Sequence, residues 1–262
     1  MNAGYFIAIV LVSGFVAGTI HGAVNLVIVE PYLDEAIGIE NQNRFTSGEA
    51  EDTPQFWVEY NSYRDWQKSG QLLAGGILGM SIGALFGIVF AYSRNSLPKG
   101  HTVKKTFVLA AIMWLTIFLI PFLKYPANPP PIGDADTVVL RGILYLSFIA
   151  ISGFSAVGFS RLYKKLETKK YLAFVGYAVF ITAVFFIMPP SSIIDWCYVD
   201  LSKPFLNFAG NLCHITDEVT APMDLVNGFR TMSVIAVTTF WIAEAIILGL
   251  LWQKYKTKLQ ES

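Results

Sequence analysis

Charge is scarce in this sequence. Only 15% of its 262 residues are Asp, Glu, Lys or Arg, 54% are apolar, and the mean hydropathy is +0.50. A soluble domain of this length has too little interior to hide that much apolar surface, so a soluble single-core protein is excluded. The usual metal motifs are missing as well: there is no HExxH, no CxxC and no EF-hand loop. A GxxxxGK(S/T) phosphate loop is also absent, so the chain is not expected to hydrolyse ATP itself. No nucleophile stands beside a base, and the three histidines (His21, His101, His214) fall at different depths, which argues against a membrane enzyme. No Lys or Arg precedes the first apolar run, and that run exceeds a signal-peptide core, so it reads as a retained helix.

What the chain does have is long apolar runs, each near the roughly 20 residues that cross a bilayer. Six spans are expected, at about 5–29, 71–92, 106–123, 138–160, 171–188 and 231–252. They lack the period-two alternation of barrel strands, and in lipid a helix satisfies its own backbone. The expected fold is therefore all-α: a polytopic membrane protein, one domain over 1–262, with a six-helix bundle. Segments 30–70, 124–137 and 189–230 are read as external loops, the last an extended one before the final helix.

Formal net charge is zero, but the charges are sorted. Arg94, Lys99, Lys104, Lys105, then Arg161, Lys164, Lys165, Lys169, Lys170, then Lys254, Lys256, Lys258 fall on one side of a six-span chain. The opposite loops hold nearly all the carboxylates. The positive-inside rule makes this a multi-pass cell-membrane protein with both termini cytoplasmic. The acidic outer face is either a solvated surface or a cation-attracting vestibule.

Gly14, Gly18 and Gly22 recur every four residues in the first span, and Gly75, Gly79, Gly83 and Gly87 do so in the second. Small residues at that spacing let helix backbones approach closely, the main route to association in lipid. Two ionisable groups lie at membrane depth. His21, with Asn25 one turn on, is either a neutral imidazole bonded to a neighbouring helix or a ligand or proton relay. Glu244 is either a protonated carboxyl bonded across helices or part of a polar pathway. The two are expected at opposite depths, roughly 12 Å from the outer and inner ends respectively. Glu30, Asp34 and Glu40 follow the first span; their spacing suits oxygen ligation of a divalent ion, or simply an acidic helix start.

The third apolar run ends abruptly in PFLKYPANPPPIGDADT, residues 121–137. Its prolines forbid helix, Lys124 suits a helix C-terminus, and Asp134, Asp136 or Thr137 can cap the next span. Cys197 and Cys213 both fall in the outer segment 189–230, an oxidising side on which a disulfide between them is expected. His214 beside Cys213 makes only a weak metal set.

Several of these words together resemble the CbtA family of cobalt transporter subunits. They are PFLKYPANPP (Lys124, Tyr125, Pro126, Asn128), GDADT (Asp134, Asp136) with Arg141, Leu144 and Tyr145, and EPYLDEAIGIE. FRTMSV at the last span and Trp241 add to them. The segment 189–230 departs from the family by its length. The resemblance implies a membrane subunit for uptake of a divalent transition metal, cobalt foremost. Glu30, Asp34, Glu40 and His21 would be metal ligands, with Asn25 and Glu244 further along the route. Co2+ would be cargo, with no tightly bound cofactor. The partners implied are the lipid bilayer, a small one-span His-bearing CbtB-like subunit and further copies of the chain, with no nucleic acid. The alternative is a non-transporting scaffold or accessory subunit of a larger membrane complex.

Overall fold

Every apolar run folds as helix, because lipid offers no partner to a backbone N–H or C=O. The computed structural model describes residues 2–129, 138–166, 168–189 and 221–260, and among them there is no strand. The elements are α1 (Ala3–Ile28), α2 (Glu30–Ser47), α3 (Pro54–Ser93) and α4 (Thr102–Met113), then a wider π-helical stretch (Trp114–Leu119) and α5 (Ile120–Lys124). After these come α6 (Val138–Lys165), α7 (Tyr171–Ile187), α8 (Met223–Lys254) and the short α9 (Lys256–Gln260). Five segments are long and apolar enough to cross a membrane: α1, α3, Thr102–Lys124, α6 and α8; α7, with 17 residues, is a shorter apolar helix. The protein is thus an all-α polytopic membrane bundle. Large apolar side chains point outward along it, such as Val27 at 70% exposure and Phe154 at 79%, as a lipid-facing surface requires.

Two segments differ from their reading as loops. Residues 30–70 are a helical hairpin made of α2 and the early turns of α3. Pro31 and Pro54 each sit in a first helical turn, where a missing N–H costs nothing, and the Thr53 hydroxyl accepts from Phe56 N–H at 3.2 Å. Gly48 ends α2 in the left-handed region at φ 78°, a conformation that glycine adopts without strain. Second, the last helix starts at Met223, not near Thr231. Residues 190–220 lie outside the described residues, and with them Cys197, Cys213 and His214; so do Asp134 and Asp136.

The chain forms two compact units, Met1–Trp114 with Asn227–Ser262, and Leu115–Val226. In the first, α1 and α3 pack through their glycines. A Cβ on Gly18 would lie 2.8 Å from Gly79 Cα, and one on Gly83 would lie 2.7 Å from Gly14 Cα. Real side chains cannot approach backbone so closely, so only glycine permits this contact. The antiparallel α8 lies along α1: Phe6 meets Trp252 edge-on at 5.9 Å, and Asn2 N–H donates to Leu259 O at 3.1 Å. α4 joins α8 through Thr106, whose hydroxyl donates to Ala245 O at 2.6 Å, and the first residue of the π-helical stretch joins it through Trp114 Nε1, which donates to Thr238 at 3.1 Å.

In the second unit α6 and α7 form a hairpin. Ser152 and the Tyr177 hydroxyl are bonded at 2.9 Å, and Phe159 packs on Tyr177 and Phe180. The π-helical stretch just precedes Pro121, which has no N–H to donate and crowds the preceding turn.

Candidate functional site

Polar side chains of the first unit line up along α1 at three levels. Asn25 and the start of α2 form the first, His21 the second, and Ser13 the third. The glycine contact holds α1 against α3 on one side, and α8 supplies partners on the other.

At the first level α1 gives way to α2 with no loop: Pro31 has no N–H for the Val27 carbonyl, while Val29 N–H still donates to Asn25 O at 2.9 Å and Leu33 N–H to Val29 O at 3.2 Å. Glu30 and Asp34, four residues apart, share a face of α2. Arg64, Lys68 and Gln71 share a face of α3 by the same spacing. The two faces meet. Arg64 donates to Glu30 Oε1, and to Asp34 Oδ1 at 2.8 Å. Lys68 donates to Asp34 Oδ2 at 2.7 Å. Gln71 donates to Glu30 Oε2 and accepts from Asn25 at 3.4 Å. Two carboxylates are thus balanced by two cations. Glu30 is 2% exposed and Arg64 6%, so the pair is deeply buried. Burial by itself would raise the Asp34 carboxyl; hydrogen bonds from Lys68 and Arg64 outweigh that and hold it below its usual value.

The four residues read as ion ligands are not gathered into one site. Glu30 and Asp34 come together, but around Arg64 and Lys68. Glu40 lies ten residues beyond Glu30, about 15 Å along α2, and His21 is nine residues before it on α1. Among the described residues no three of His, Cys, Asp or Glu are placed to hold one ion.

His21 is half-buried in the α1–α8 seam. Its Nδ1 lies 2.9 Å from the carbonyl of Ala236, and Phe240 stands edge-on at 6.4 Å. A carbonyl can only accept, so Nδ1 carries the hydrogen of this contact and Nε2 is the ring nitrogen left over. Two turns along the seam, Glu244 is 0% exposed. Ser13 Oγ lies 3.1 Å from Glu244 Oε1 and 3.0 Å from Val10 O, while Glu244 Oε2 has no partner among the described residues.

The proline-rich motif belongs to the second unit. Lys124 closes α5 with Nζ over the Phe185 ring at 4.9 Å, and the Tyr125 hydroxyl donates to Pro189 O at 2.8 Å. Pro126 and Asn128 follow in chain without regular structure, and Arg141 lies in the first turn of α6.

Sequence reasoning missed Arg64, Lys68, Gln71 and Ser13. The first three carried a signal: spacing of four and three residues directly ahead of an apolar run, which marks one face of a continuing helix. Ser13 carried none, because its partner lies 231 residues away. A family model described as "Probable cobalt transporter subunit (CbtA)" matches residues 4–253. No curated protein and no solved structure matches the chain.

Proposed function

The chain belongs to the CbtA family, described as a probable cobalt transporter subunit, and on that premise we propose that it is a membrane subunit for uptake of a divalent transition metal ion, with Co2+ the expected cargo. The observation that carries this reading is His21. Its Nδ1–H donates to the Ala236 carbonyl, which fixes the ring and leaves Nε2 as a nitrogen ligand of the kind that suits cobalt. In this reading both termini are cytoplasmic, and the carboxylate-bearing end of the first unit faces outward and attracts cations. Glu35 and Glu40 on α2 add to the negative field, with Arg44 one turn beyond Glu40. Glu30 and Asp34 serve first as an anchor of α2 on α3, and act as ligands only when Arg64 and Lys68 move aside. A small one-span His-bearing subunit would complete the ligand set, since His21 alone cannot hold an ion, and further copies of the chain are the other expected partner.

The test is radiolabelled cobalt uptake into vesicles carrying wild type or His21→Ala. A drop of about tenfold or more is expected, and equal uptake removes His21 from the route. Binding should also weaken as pH falls, because ligands must shed protons to bind metal. The ion pairing of Glu30 and Asp34 favours a second reading, an accessory scaffold that moves nothing. Elemental analysis of purified protein, with and without the small subunit, separates the two: a scaffold co-purifies with its assembly and holds no metal.

A further inference from the structure

The group in this seam that metal ligation leaves unused is Glu244. Ser13 has one hydroxyl hydrogen and two acceptors within reach, Val10 O at 3.0 Å and Glu244 Oε1 at 3.1 Å. If Glu244 were ionised, its whole charge would rest on a share of that single hydrogen, at 0% exposure, with Oε2 unbonded among the described residues. A bare carboxylate so placed is prohibitively unfavourable. One arrangement satisfies every atom but Oε2: Glu244 Oε1–H donates to Ser13 Oγ, and Ser13 donates to Val10 O.

Among the described residues the surroundings supply no counter-charge. On α8 no other charged residue lies between Arg230 and Lys254. On α1 the titratable groups are Tyr5 and His21, and His21 faces Ala236, two turns away. On α3 none is charged between Gly70 and Tyr92, the stretch whose Phe86 packs against Trp241. On α4 the nearest cations are Lys104, which is exposed, and Lys105, whose Nζ donates to Arg94 O at 2.9 Å.

We propose that Glu244 is a proton-binding site: it holds a proton in the closed α1–α8 seam seen here and exchanges it when the seam opens to water, making the proton a second transported ligand beside the metal. The coupling to metal rests on the transport reading above; the proton site itself does not. The step is a plain proton transfer, with the carboxyl O–H broken, a carboxylate left, and the proton passed to water. Carried in the same direction as the metal, down an inward proton gradient, the proton would give a chain without a phosphate loop a source of energy for accumulation.

The test has two arms on the full chain in lipid. The infrared difference spectrum of wild type minus Glu244→Gln should show the carbonyl band of a protonated carboxyl at neutral pH. A carboxylate pair in its place overturns the site. Glutamine keeps the neutral polar shape, so Glu244→Gln is expected to fold; a Ser13→Ala variant, which leaves the carboxyl in place, should shift the band and checks the assignment independently. In vesicles with an imposed pH gradient, cobalt accumulation by Glu244→Gln should drop at least tenfold and lose its response to the gradient. Accumulation equal to wild type overturns the coupling. If wild type moves no cobalt, the transport reading and the coupling fall together, and the infrared arm still decides whether Glu244 holds a proton.

Discussion

Glu30 and Glu244 are both buried carboxyl groups lying against α1, at 2% and 0% exposure, and they are handled in opposite ways. Both oxygens of Glu30 are met, one by Arg64 and one by Gln71, and Asp34 and Lys68 complete a neutral cluster. Among the described residues Glu244 has a serine at one oxygen and nothing at the other. Depth of burial therefore does not separate a structural acid from a working one; compensation does. A fully paired carboxylate stays ionised and fastens two helices. An uncompensated one is held by a proton, and is available to anything that changes its surroundings.

The contrast can be broken at either end. The largest effect is expected from Arg64→Ala, which strands the Glu30 charge in the interior. A loss of about 3–5 kcal/mol in reversible unfolding is expected, and the double change with Glu30→Gln should recover most of it. If the single change is neutral, the cluster is not a fastening. At the glycine contact between the two acids, Gly18→Ile forces α1 away from α3 and should cost about 1–3 kcal/mol or more. Gly38→Ala is the control, since a Cβ there meets nothing within 4 Å among the described residues. At Glu244, Ser13→Ala removes the carboxyl's only partner among the described residues and should cost about 1–3 kcal/mol; a cost no larger in wild type than in a Glu244→Gln background would show that the two do not interact.

The smallest expected effect is a pH dependence at Asp34. Its carboxyl is held below the ordinary 3.8, so the unfolded chain takes up a proton there before the folded one does. The contribution is complete above that ordinary value and is lost as pH falls through the lower folded one. The stability gap between wild type and Asp34→Asn should therefore be steady at neutral pH and close on acidification below about 4. A gap that instead widens with acid gives the wrong sign and removes the pairing.

Much of the fold was open to inspection in the residues, for a local reason. Hydropathy over a window reports whether a segment can enter lipid, and Gly14, Gly18, Gly22 and their counterparts on α3 announce a close helix contact by spacing alone. The start of α3 was harder to place, because the polar turn around Arg64 and Lys68 loses the hydropathy signal while the helix continues through it. His21 and Glu244 stood out as ionisable groups at membrane depth. What each touches did not, since neither the Ala236 carbonyl nor Ser13 differs in kind from its neighbours in sequence.

Composition and periodicity, properties of short windows, were enough to establish helices, lipid, and a sorting of charge by loop. Which carboxyls are neutralised was settled only by folding, because Arg64 reaches Glu30 across 34 positions and Ser13 reaches Glu244 across 231. Pairing depends on distance in space, and a charge tabulated along the chain has no record of its counter-ion until the helices pack.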